Sequence, residues 1–236
     1  MKILSPEELE ALATLSSSAI SNAIETFDVR RRDMGYMGKT VINRLPKPKS
    51  MVGYAVTMRS SLTPPVIGDS YPDRSDWWEK MATFPNPKIL VIEDIEEYKG
   101  KGALAGATHA SIFKALGCVG IVTDGALRDL KEMEEMGLHI FSGSVSPSHA
   151  YAHLVDVDVP VTVGGLTIRS GDLLHGDQYG IVSIPTKISH KVSARALNIL
   201  KHKARIRDFC TAPEFSLEKL RVMVNELLDE TGIEKI

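Results

Sequence analysis

Gly120-Ile121-Val122-Thr123-Asp124-Gly125-Ala126-Leu127-Arg128-Asp129 is an apolar run that halts at a glycine turn and delivers an adjacent cation and carboxylate to one point. Such a short run bounded by glycine reads as a buried strand, here Val119 to Thr123. Upstream, Ile89-Leu90-Val91-Ile92 reads as a second buried strand. It is followed by Glu93-Asp94-Ile95-Glu96-Glu97, a Gly100-Lys101-Gly102 loop and a helix from about Ala103 to Leu116. Strand, helix, strand in close succession implies parallel pairing with a right-handed crossover. Downstream the pattern predicts a helix over Arg128 to Met136, a strand at His139-Ile140-Phe141 and a loop over Ser142 to Ser148. A strand ending in Arg-Asp sets a carboxylate or phosphate clamp beside a hard-oxygen metal ligand, which suggests an enzyme. The competing reading is that the pair merely caps the following helix, where a first-turn acid is favourable.

Further out, Ser5, Pro6 and Glu8 form the signature of a capped helix, and a second helix begins around Ser16 to Ser18, so helices occupy 5–28. Arg30-Arg31-Arg32 reads as a solvated charged face rather than a grip on RNA or phosphate. Val52 to Met58 is strand-like. The stretch 61–87 then breaks the pattern with Pro64-Pro65, Gly68, Pro72, Pro85 and Pro87, and holds Trp77-Trp78 beside Asp69, Asp73, Arg74 and Asp76. We read it as a lid-like insertion, with a subunit contact as the alternative. Short strands at Val159 to Val163, Leu166 to Ile168 and Gly180 to Ile184 are hairpin-like, so parallel and antiparallel sheet coexist. Helices over 186–229 close the chain, and 1–236 reads as a single α/β domain.

The 236 residues are 43% hydrophobic and 25% charged, enough for a sizeable core. A net charge of -2 supplies no basic field for nucleic acid. Two cysteines, Cys118 and Cys210, lack zinc spacing and read as reduced thiols. The first residues turn acidic where a signal peptide would be apolar, and no apolar run reaches membrane-spanning length. A cytoplasmic protein is expected.

Gly117 to Asp129, followed by Gly137-Leu138-His139-Ile140-Phe141 and by Val163-Gly164-Gly165-Leu166-Thr167-Ile168-Arg169-Ser170-Gly171-Asp172, resembles the RraA-like family. That family includes regulators of RNase E activity and the 4-hydroxy-4-methyl-2-oxoglutarate aldolases. The resemblance runs from roughly Ser16 to Pro185 and implies a swivelling β/β/α domain with mixed sheets and flanking helices. It further implies assembly as a trimer or a dimer of trimers, with sites between subunits. Arg128 would bind the substrate's oxygens, Asp129 would hold magnesium or manganese, and Glu214 of a neighbouring chain would complete the metal shell. The helix start at Gly106, Ala107 and Thr108 would offer amides to a pyruvyl carboxylate, in keeping with the anion preference of helix N-termini. The chain departs from the aldolase pattern at Ala107, where the aldolases carry an acid used in proton transfer. His109 is the candidate substitute acid or base, although two positions along a helix turn it away from the original direction.

The residues and the resemblance together imply a divalent-metal-dependent lyase acting on a small oxo acid, either cleaving a 4-hydroxy-2-oxo acid to pyruvate or decarboxylating oxaloacetate. A metal and a guanidinium both suit the negative charge of a forming pyruvate enolate. The rival is a non-catalytic regulator that binds a ribonuclease. A methyltransferase is disfavoured, since no glycine-rich loop follows a first strand with an acidic ribose ligand after it. Of the remaining polar residues, His149 and His153 would share a helix face and could bind zinc, but pocket or surface roles are preferred. His175 and Asp177 are expected to fix a hairpin bend. Asp124 either orients Arg128 or stabilises its turn.

Overall fold

The computed structural model describes residues 3–64 and 74–231. Helices α1 (Pro6–Ala13) and α2 (Ser17–Glu25) precede strands β1 (Ile42–Asn43) and β2 (Met51–Ser61). Next come α3 (Arg74–Ala82), β3 (Lys88–Asp94), β4 (Ala103–Ala105), α4 (Ala107–Ala115), β5 (Cys118–Leu127), α5 (Leu130–Glu135) and β6 (His139–Val145). Short strands β7 (His153–Val157), β8 (Val161–Val163), β9 (Leu166–Ile168), β10 (Leu173–Asp177) and β11 (Gly180–Ile184) lead to α6 (Ser189–Cys210) and α7 (Leu217–Thr231).

Strands β2, β3, β5 and β6 run parallel side by side. Antiparallel partners extend this core at both edges: β10 and then β11 beyond β2, and β1 beyond β6. Short β4 and β7 pair with the ends of β5 and β2, while β8 and β9 form a separate hairpin. The result is the expected α/β arrangement of mixed sheets with flanking helices. The middle of the central strands, as in Ile89 to Ile92, is apolar because both of their faces are covered. Leu90, Ile92, Ile121 and Ile140 pack with Phe113 of α4 and Met133 of α5, while Ile89, Val91, Val122 and Phe141 pack with Val161, Val163 and Ile168 of the hairpin. Each such side chain contributes roughly 1.5–3 kcal/mol on burial.

The N-terminal helices are held as the sequence implies. The Ser5 hydroxyl accepts from Glu8 N, and the Glu8 carboxylate accepts from Ser5 N at 2.8 Å. Leu12, Ile20 and Ile24 pack with Val192 and Ile199 of α6 against Tyr54 and Leu173. His175 is fully buried beneath this layer. Its Nε2 lies 3.2 and 3.1 Å from the carbonyls of Leu12 and Leu15, and its Nδ1 lies 3.1 Å from Ser17 Oγ. His175 thus ties the α1–α2 junction to the sheet rather than fixing the hairpin bend. Asp177 does hold the bend, accepting from Tyr179 N at 2.8 Å, and also caps α2 through Ser17 N.

Several expectations are corrected. Ala103 to Ala105 is a strand, because pairing with Ala126 and Leu127 outweighs the helical preference of alanine. Arg30 is not solvated: it donates to Ser183 O and Oγ, both at 2.9 Å, and burial lowers its pKa. The stretch 61–87 is not wholly irregular, since it contains α3, but residues 65–73, with Pro65, Gly68, Asp69, Pro72 and Asp73, lie outside the described residues. So do the side chains of Arg74 and Asp76. His149 and His153 do not share a helix, because this segment is a turn leading into β7. No helix among the described residues is long and apolar enough to cross a membrane.

Candidate active site

The site forms where β3, β4 and β5 end, the edge of a parallel sheet at which α/β proteins commonly place ligands. Strand β5 delivers Arg128 directly after the buried Leu127, and Arg128 N donates to Ala105 O at 3.2 Å, so β4 fixes where the strand lets go. The next residue, Asp129, adopts the left-handed conformation with φ 58°, a region that Asp tolerates better than most side chains. That turn sends its carboxylate away from α5, whose own start it leaves uncapped, and towards α4. Asp129 Oδ2 accepts a hydrogen bond from Ala107 N at 2.9 Å and lies 3.7 Å from Arg128 Nε. The pair is therefore in a capping relationship, but with the helix across the cleft rather than the one that follows it. A helix N-terminus stabilises a carboxylate placed there.

The cap leaves both side chains accessible: Arg128 is 36% exposed and Asp129 39% exposed. Arg128 Nη1 lies 3.4 Å from Pro147 O, which anchors the guanidinium without occupying it. Arg128 and Gly106 line a cavity of about 560 Å³. A Cβ at Gly106 would stand 2.4 Å from Asp129 Oδ2 and 3.0 Å from Arg128 Nε, so both side chains keep their present positions only beside a glycine. The amide of Ala107, expected to meet a substrate carboxylate, is taken by Asp129, while that of Thr108 has no partner among the described residues. His109, in the first turn of α4, lines the same cavity with its ring 6.2 Å from that of Phe113.

His149 and His153 also line the cavity, with Nδ1 of each 2.8 Å from the carbonyls of Ala150 and Tyr151 respectively. Residues that sequence reasoning missed complete it: Met58 of β2, Ile92 of β3, Phe113 of α4 and Leu154 of β7. Met58 and Ile92 pair in register on the face that α4 covers, a relation that the folded sheet sets and the sequence does not display. Asp124 does not reach Arg128. It accepts from Asp94 N at 2.9 Å and pairs with Lys99, facing a second cavity that Ser144 and Thr162 also line.

The contacts of Asp129 both engage Oδ2, so Oδ1 is open to a hard cation such as magnesium or manganese. Glu214 is exposed in the turn between α6 and α7 and does not line the cavity. Among the described residues no three His, Cys, Asp or Glu side chains converge as a metal cage.

The family model for aldolase/RraA proteins, described as RraA-like, matches residues 17–183. An uncharacterized protein of Methanocaldococcus jannaschii is 26% identical over 167 residues, covering 70% of this chain and 74% of that one. A protein of Halalkalibacterium halodurans with the provisional name 4-hydroxy-4-methyl-2-oxoglutarate aldolase is 34% identical over 95 residues, which is 40% of this chain and 45% of that protein. In fold, the crystal structure of a Streptomyces coelicolor protein, described as an unusual member of the RNase ES inhibitor RraA family, superposes with a TM-score of 0.68. It is 22% identical and covers 88% of this chain and 98% of its own. With the match running from the start of α2 into β11, the chain belongs to the RraA-like family.

Proposed function

We propose that the protein is a magnesium- or manganese-dependent lyase that releases pyruvate from a small oxo acid, by aldol cleavage of a 4-hydroxy-2-oxo acid or by decarboxylation of oxaloacetate. The observation that carries this reading is the placing of Arg128 on a cavity wall with the Asp129 carboxylate 3.7 Å from its Nε. Relatives provisionally named as aldolases support the reaction class. Asp129 would hold the cation, joined by Glu214 of a neighbouring copy in a trimer or dimer of trimers. When bound, the ion supplies positive charge for the developing enolate.

The chain's own residues account for the rest. Arg128 pairs with the oxo acid's carboxylate and 2-oxo oxygen, and the Thr108 amide adds a donor at the helix start. In the cleavage, His109 takes the proton of the C4 hydroxyl, the C3–C4 bond breaks, and its electron pair passes to C3 to give pyruvate enolate and an aldehyde. His109 then gives that proton to C3 of the enolate, which yields pyruvate and restores the base. Ala107 supplies no acid, so His109 is the one titratable side chain of α4 on this cavity. The test is a panel of oxo acids incubated with protein and either metal, with pyruvate measured before and after chelation. Release that chelation abolishes supports the reading, and no release from any acid with either metal refutes it.

Ala107 also favours a second reading, since a regulator that binds a ribonuclease needs no base. Recovery of a ribonuclease with the affinity-purified protein, together with no pyruvate release, would select it.

A further inference from the structure

Arg128 occupies one part of the cavity, and the remaining wall is not built for a second charge. Met58, Trp77, Ile92, Phe113 and Leu154 converge on it from β2, α3, β3, α4 and β7, and all but Leu154 are buried. Among the described residues no lysine and no second arginine lines it. Nδ1 of His149 and of His153 lies 2.8 Å from a backbone carbonyl, so the chain itself orients both rings. A second carboxylate set against the apolar side chains would lose its hydration there. The volume of about 560 Å³ also exceeds what a pyruvyl unit fills.

Two residues of the apolar part of the wall, Ser60 and Trp77, carry buried polar atoms. Ser60 Oγ and Trp77 Nε1 are sealed from solvent and have no hydrogen-bond partner among the described residues, and both residues line the cavity. Neither position is accidental in the fold. Ser60 follows a β-bulge at Arg59/Ser60 in the pairing with β7, a device that re-aims side chains, and Trp77 is held edge-on by Phe113 with ring centroids 5.3 Å apart. Buried donors left unpaired by the protein call for an acceptor from a ligand.

We propose that the oxo acid bound here carries at C4 an apolar, ring-sized substituent bearing one neutral oxygen acceptor, in place of a second carboxylate, and that Trp77 and Ser60 set this preference. The inference rests on reading the cavity as an oxo-acid site. The products of cleavage are then pyruvate and an aromatic-like aldehyde rather than a second oxo acid.

The test uses three probes that lack the C4 hydroxyl and cannot be cleaved: 2-oxo-4-phenylbutanoate, its 4-hydroxyphenyl counterpart and 2-oxoglutarate. Their binding to the full chain with manganese is measured by calorimetry. Both aryl probes are expected to bind at least about tenfold more tightly than 2-oxoglutarate, with the hydroxyphenyl probe the tighter. Trp77→Phe keeps the ring against Phe113 and removes the donor. It should reduce the advantage of the hydroxyphenyl probe over the phenyl probe. Equal or tighter binding of 2-oxoglutarate, or no binding of any probe, overturns the inference. If the aryl preference holds while no 4-hydroxy-2-oxo acid yields pyruvate, the proposed reaction fails and the substrate class stands. Pyruvate release with a dicarboxylate preference does the reverse.

Discussion

Gly106 and Asp129 approach so closely that a methyl group on the glycine would lie 2.4 Å from the aspartate's Oδ2. The carboxylate must reach Ala107 N past this point, so the absence of a side chain at Gly106 is a condition of the site's geometry. Gly106→Ala should displace Asp129 and cut metal-dependent pyruvate release by about a hundredfold, the scale of an ångström's misplacement. Kinetics and a thermal melt measured together check this. A variant of normal activity would show that the carboxylate's position does not matter.

The cap that Asp129 places on α4 and the cation-binding role proposed for it are separable. Asp129→Asn keeps an acceptor for Ala107 N but removes the charge. It should retain stability while losing manganese affinity, read by electron paramagnetic resonance. Asp129→Ala loses the cap as well and should be less stable by about 1 kcal/mol. Equal manganese binding by wild type and Asp129→Asn would remove Asp129 from the metal site.

Much of this was legible from local pattern. Ser5, Pro6 and Glu8 specified α1 because capping depends on neighbours in sequence, and Ile89 to Ile92 specified a doubly covered strand because such strands need apolar residues throughout. Arg128 was legible because it ends such a run. The direction of the Asp129 carboxylate was not, since it follows from a left-handed backbone turn towards a helix some twenty residues upstream. Nor was β4, where three residues of helical preference are recruited by β5. The cavity wall was invisible for a related reason: its apolar side chains come from five elements scattered along the chain and look in sequence like ordinary core.

Acid should destabilise the fold through two histidines. Burial lowers the pKa of His175, and burial together with the nearby Lys47 charge lowers that of His139 to about 4. Both rings are therefore held neutral in the folded chain at pH values where the unfolded chain binds protons. Their contribution is full above the ordinary histidine value of about 6.5 and is lost as pH falls below it, for His139 towards about 4. Denaturant midpoints at about pH 7 and about pH 5 should differ, and His139→Gln should make the decline shallower. An unchanged decline in that variant would exclude His139 as a contributor.

The two thiols should differ in reactivity. Cys118 is buried, and burial pushes its thiol up to about 12, whereas Cys210 is exposed near the end of α6. The thiolate is the reactive form, so iodoacetamide should label the native protein once, at Cys210. Labelling at both positions without denaturant would contradict the packing around Cys118.

The central claim is that Arg128 and Asp129 act together on an oxo acid through a divalent ion. Manganese-stimulated pyruvate release, compared among wild type, Arg128→Ala and Asp129→Ala, tests it most directly. Each variant is expected to lose at least about a hundredfold in rate while remaining folded, the scale of removing one stabiliser of developing negative charge. A folded variant that turns over like wild type, or a wild type that releases no pyruvate, would contradict it.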